Sequence, residues 1–141
     1  MRVKSDACSV SFESINDGIS YAQPEVNPGS TLATMAALFP SSARTYANAV
    51  IHEMERCADP CFAGGESDDL GLVLEKIHTL KNSLASTGST ELLRACEQLQ
   101  LDAFRGCAPS ALHRRYKAIA NAGAKLVKKF KDSLPNTILD V

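Results

Sequence analysis

From residue 30 onward, apolar positions recur every three or four residues, the period of amphipathic helices rather than the alternation of strands. Leu32, Met35, Ala36 and Phe39 mark a short helix over Thr31 to Phe39, which Pro40 interrupts. The period resumes over Ser41 to Cys57 with Ala43, Ala47, Val50 and Met54, until Asp59-Pro60 and Gly64-Gly65 make a loop. A third helix is expected to start near Ser67-Asp68-Asp69, which offers a cap and negative charge at its N-terminus. Its stripe is Leu70, Val73, Ile77, Leu80 and Leu84, and Gly88 ends it. Ser89 caps a fourth, with Leu92, Cys96, Leu99 and Ala103 on one face and Gly106 at its close. Pro109 opens the last, whose seam is Leu112, Tyr116, Ile119, Gly123, Leu126 and Phe130. Gly123 lowers helix propensity there, which a close approach by a neighbouring helix explains.

The pattern predicts an all-α fold: an antiparallel up-down four-helix bundle with a short extra N-terminal helix. Residues 30–134 form the bundle, residues 1–29 are a flexible leader rich in polar and turn-forming residues, and 135–141 are a tail. Within the leader, Val10 to Ile15 alternates weakly, but a lone strand has nothing to pair with.

Composition narrows the function classes. A length of 141 residues suits one domain, and 45% hydrophobic with 22% charged residues is an ordinary globular balance. No run of about 18 apolar residues exists to span a membrane, and no signal-peptide pattern follows Met1. Five cysteines, an odd number in a chain of this size, argue against a secreted disulfide scaffold, so a cytoplasmic protein with reduced thiols is expected. The net charge is −1, which excludes a global drive toward nucleic acid or anionic membrane. Charge is segregated, however. Residues 109–133 carry seven cations against Asp132, a net of +6, while 52–75 hold seven carboxylates against Arg56. A solvated face, partly paired across the bundle, is the favoured account of this layout, and a docking surface for an acidic partner or nucleic acid is the alternative.

Candidate metal ligands are sparse. Cys57 and Cys61, with His52 upstream, have a zinc-compatible spacing but fall short of four ligands, so no metal site is expected. Cys57 reads as a buried helix end, Cys61 as a loop residue and Cys96 as a small core hydrophobe. His52 and His113 read as surface residues.

The segment Ile77-His78-Thr79-Leu80-Lys81-Asn82-Ser83-Leu84 stands out. His78 lies about 120° from the centre of the apolar stripe on a helical wheel, which exposes it. An accessible imidazole serves as nucleophile or proton carrier near neutral pH. Lys81, one turn on, keeps such a ring nucleophilic and can hold the oxygens of a phosphoryl group carried on it. Asn82 is placed to donate a hydrogen bond to the same group.

With Gly88 ten residues after His78, and Leu92, Cys96, Glu97 and Leu99 on the next helix, residues 78–99 resemble the histidine-containing phosphotransfer (HPt) family. The family signature runs His-x-Leu-Lys-Gly-Ser-Ser. The resemblance implies a histidine phosphotransfer protein, relaying a phosphoryl group between aspartates of receiver domains in a multistep His–Asp phosphorelay of two-component signalling. His78 is then the phosphoacceptor, Lys81 lies beside the phosphate, Ser83 and Gly88 are structural, and Gln100 faces the histidine. Leu74, Glu75, Asn82 and Ala85 fall on the face that would meet a receiver. Asn82 departs from the family's small Gly, which points to altered partner choice. Leu84 stands where a second Ser or Ala is usual, and the wheel puts it in the core.

The implied protein is a phosphocarrier without turnover of its own. It needs no cofactor, because magnesium and most catalytic groups belong to the receiver partner. No Gly-rich phosphate loop is present, so the phosphoryl group must come from another protein. Expected partners are a response-regulator receiver domain and a hybrid sensor histidine kinase, with no nucleic acid, no membrane and a monomeric state. The alternative is a phosphorylation-independent adaptor that binds a receiver or kinase domain.

Overall fold

Three side-chain oxygens start three of the helices. Ala33 N donates to Ser30 Oγ at 3.1 Å, Leu72 N to Asp69 Oδ1 at 3.3 Å, and Leu92 N to Ser89 Oγ at 3.3 Å. Each satisfies one of the backbone donors that a helix leaves orphaned at its first turn. The computed structural model describes residues 24–58 and 69–134. Those residues form five helices: α1 (Thr31–Leu38), α2 (Pro40–Ala58), α3 (Leu70–Ala85), α4 (Thr90–Phe104) and α5 (Pro109–Asp132), with no strand among them. The weakly alternating segment at 10–15, the loop at 59–68 with Cys61, and the tail from Pro135 lie outside the described residues.

The helices enclose one apolar core. Leu32, Met54, Ile77, Leu80, Leu84, Leu92, Leu99, Ile119 and Val127 are all essentially inaccessible. Each such side chain contributes roughly 1.5–3 kcal/mol by leaving water. α2 packs most extensively on α5 and α3 on α4, while α1 lies on α2. Contacts of α2 with α5 and with Leu134 just after it run in opposite chain order: Arg44 to Leu134, Asn48 to Lys131, and Glu55 to Lys128.

One glycine fixes a turn and another a close helix approach. Gly88 has φ +63°, the left-handed region that closes the α3–α4 turn, and a Cβ there would lie 2.8 Å from Asn27 Cβ. Asn27 N donates to Thr87 O at 2.8 Å, and Val26 packs against the core. Ordered packing therefore reaches back before residue 30, where the leader was expected to end. Gly123 is the predicted close approach: a Cβ would meet Leu84 Cδ2 at 2.6 Å and Met54 Sδ at 2.8 Å.

Several expected core positions differ. Phe39 is 61% exposed, because the backbone leaves helical geometry just before Pro40 (φ −142°, ψ 76°). Leu70 is 41% exposed and Val73 only half-buried, and Leu72 of the same stretch lines a surface groove with exposed Phe104 at the end of α4. In α5 the buried line moves from Leu126 to Val127. A seam of alternating fours and threes drifts about 20° per heptad against a straight helix, and 24 residues suffice to shift it by one position.

One buried polar feature is not in the sequence reading. Arg115 and Asp102 are both buried, and Arg115 Nη1 donates to Asp102 Oδ2 at 2.8 Å. Gln98 Nε2 and Arg105 Nη1 donate to the other carboxylate oxygen at 3.1 and 3.4 Å. Arg115 belongs with Leu112 and Ile119 at spacings of three and four, and Asp102 follows Leu99 by three. A cation and an anion inside adjacent apolar stripes are the signal that points to this pair.

Candidate functional site

α3 presents His78 on its solvent side because Ile77, Leu80 and Leu84 anchor the opposite side in the core. The imidazole lines an open groove of about 800 Å³ between α3 and α4. Leu74, Glu75 and Gln100 line the same groove, together with Asp69, Leu72 and Phe104. Three of the expected site residues are thus brought to the histidine, one of them from a different helix.

Lys81 is half-buried on the α4 side, and its Nζ lies 3.2 Å from Glu97 Oε2. Its ammonium is engaged across the helix pair, a partner that the sequence reading did not assign. Helix spacing carried the signal: Glu97 precedes Gln100 by one turn, so both occupy the edge of α4 that faces α3.

Asn82 and Ser83 fall on the other flank of α3. They line a second groove, of about 360 Å³, with Tyr46, Val50 and Glu53 of α2 and with Thr79 and Ser86. His78 therefore stands on a crest, with Gln100 on one side and Asn82 on the other. Ser83 is half-buried, and its carbonyl accepts from Ser86 Oγ at 2.9 Å. Thr79 Oγ1 donates to Glu75 O at 3.0 Å. Ala85 is exposed, two turns beyond His78. Leu84 lies fully in the core.

Beneath the site the thiols are inert. Cys96 is buried and free, and burial pushes its thiol up to about 12. Cys57 is also buried and free, and its thiol is raised by burial while the hydrogen-bonded Tyr116 hydroxyl opposes that shift. Burial likewise raises Tyr116. His52, expected on the outer face, is exposed, whereas Cys57 is buried, so the two do not share an environment. His113 is half-buried rather than fully at the surface. Among the described residues, no group of three or more His, Cys, Asp or Glu is placed to hold a metal ion. Cys107 corrects the expectation of reduced thiols throughout: it is disulfide-bonded.

The site offers one accessible nucleophile, an ammonium one turn along, and an amide from the neighbouring helix. Such a set can accept and hold a small anionic group. No helix among the described residues is long and apolar enough to cross a membrane. No protein-family model, curated protein or solved structure matches the chain.

Proposed function

We propose that this chain is a histidine phosphotransfer protein, carrying a phosphoryl group on His78 between receiver-domain aspartates in a two-component phosphorelay. The observation that carries the reading is His78 itself: an exposed imidazole on a helix anchored by its opposite face, in a groove shared with Gln100 of α4. The opposite chain order of the α2–α5 contacts supports an antiparallel up-down four-helix bundle, with α1 as the additional helix.

The chemistry asks little of such a scaffold. A ring nitrogen attacks the phosphorus of an aspartyl phosphate, the acyl P–O bond breaks, and the carboxylate leaves. The ring gives up its remaining N–H proton to solvent. Positioning and charge neutralisation carry most of the work, and a rigid helix supplies the first. Lys81 answers part of the second, with magnesium and the remaining groups on the receiver. Exposed Leu72 and Phe104 beside polar Glu75 and Gln100 suit a transient interface.

Incubation with a phosphorylated receiver should label the wild-type protein with acid-labile, base-stable phosphate. His78→Gln should abolish that label and leave the helical circular dichroism unchanged. Undiminished labelling of His78→Gln would overturn the assignment. Receiver binding without label on the wild type would favour the phosphorylation-independent adaptor.

A further inference from the structure

Lys81 can serve two anions, and the structure places one of them. The ion pair with Glu97 is open to solvent, with the lysine side chain 31% and the glutamate side chain 58% exposed, so it can exchange partners. Glu97 precedes Gln100 by one turn on α4, and Gln100 shares the groove of His78. The pair therefore lies on the α4 side of the imidazole. The charged neighbours of His78 are Glu75 one turn before it, Lys81 one turn after it, and Asp69 in the same groove. α4 adds Glu97 through Lys81, and α2 adds Glu53 across the groove at Thr79 and Asn82.

Resting on the phosphotransfer reading, we propose that Glu97 is a positioning residue for Lys81 that sets the lifetime of phosphorylated His78. Before phosphorylation, the Glu97 carboxylate holds the ammonium at the α3–α4 seam, one helical turn from His78. A phosphoryl group on the ring brings more negative charge and three acceptor oxygens, and it competes for the same ammonium. What Lys81 gives to Glu97 is withheld from the phosphoryl group. Spontaneous loss occurs when water attacks phosphorus, the N–P bond breaks, orthophosphate departs, and the ring nitrogen takes up a proton. An ammonium close to the phosphorylated ring opposes the protonation that speeds this loss. Glu97 thus shortens the lifetime of the carried group and keeps it ready for transfer, and Gln at this position should lengthen that lifetime.

The test charges the full chain with phosphoramidate, a small-molecule donor, and follows loss of phosphohistidine by phosphorus NMR. Glu97→Gln should extend the lifetime about two- to fivefold, the range expected of an exposed ion pair. Lys81→Gln should shorten it, and Glu97→Asp should stay near wild type. In the Lys81→Gln background, Glu97→Gln should change nothing, an outcome that a merely structural role for Glu97 would not give. Equal lifetimes for Glu97→Gln and wild type, or an equal gain in both backgrounds, overturn the proposal alone. Absence of label on the wild type, from phosphoramidate and from a phosphorylated receiver alike, overturns the phosphotransfer reading and this proposal with it.

Discussion

Gly88 ends a helix and Gly123 lies inside one, and the structure makes their substitutions differ. At Gly123 the added methyl meets Leu84 Cδ2 and Met54 Sδ, atoms toward the ends of flexible side chains. Overpacking of about 1–3 kcal/mol is then partly offset by a helix-propensity gain of about 1 kcal/mol for Ala. At Gly88 the methyl meets the Cβ atoms of Asn27 and Ser30, at 2.8 and 3.1 Å, which move only with their backbones. The φ of +63° adds about 1–2 kcal/mol of its own for any L side chain. Gly88→Ala should therefore destabilise by more than Gly123→Ala, by about 2 kcal/mol or more in urea unfolding. Equal midpoints for the two variants would refute the account of the α3–α4 turn. The close approach at Gly123 was legible in the sequence, because a glycine inside an apolar seam needs a packing reason. The role of Gly88 in receiving residues 27–30 was not, because those residues carry no helical period.

At the level of the helices, caps and breakers were the readable part. Ser89, Pro109 and Gly106 stand where the sequence puts them, and Asp69 is the member of the Ser67-Asp68-Asp69 group that caps α3. Periodicity fared less well in the first turn of a helix, as at exposed Leu70, or where a seven-residue seam drifts, as at Leu126 and Val127. A burial stripe records only one helix, and where it ends depends on how far the neighbouring helices reach. His78 was legible because exposure follows from the wheel alone, whereas the engagement of Lys81 by Glu97 depends on how α3 and α4 pack. The Asp102–Arg115 pair binds α4 to α5 in the same hidden way, and its charges weigh differently from those at the surface. Removing Arg115 leaves the buried Asp102 carboxylate with only Gln98 and the solvent-exposed Arg105 as partners, so Arg115→Met should cost about 3 kcal/mol. Glu55→Gln, which breaks the exposed pair to Lys128, should cost at most about 1 kcal/mol. Chemical denaturation of both variants checks the contrast, and a loss below about 1 kcal/mol for Arg115→Met would contradict the pair's role.

Across the whole molecule, the near-zero net charge conceals ionisable groups that the fold keeps neutral, and these set its response to pH. Cys57, Cys96 and Tyr116 are buried, and burial holds all three above their ordinary values of 9.0, 9.0 and 10.0. Above those values the unfolded chain has lost protons that the folded chain retains. Stability that is fully present below pH 9 must then fall as pH rises toward the folded-state values, about 12 for Cys96. Each group contributes a slope of up to about 1.4 kcal/mol per pH unit within its window. Cys96→Ala removes one contribution. It should lose about 1 kcal/mol at pH 7 from the small cavity, and then decline less steeply than wild type between pH 9 and 11. Denaturation midpoints at pH 7, 9, 10 and 11, with the Cys107 disulfide kept oxidised throughout, separate the two effects. A slope unchanged by Cys96→Ala would mean that this thiol ionises as freely in the folded protein as in the unfolded chain. Burial of Cys96 beneath the His78 helix would then no longer account for the alkaline behaviour of the bundle.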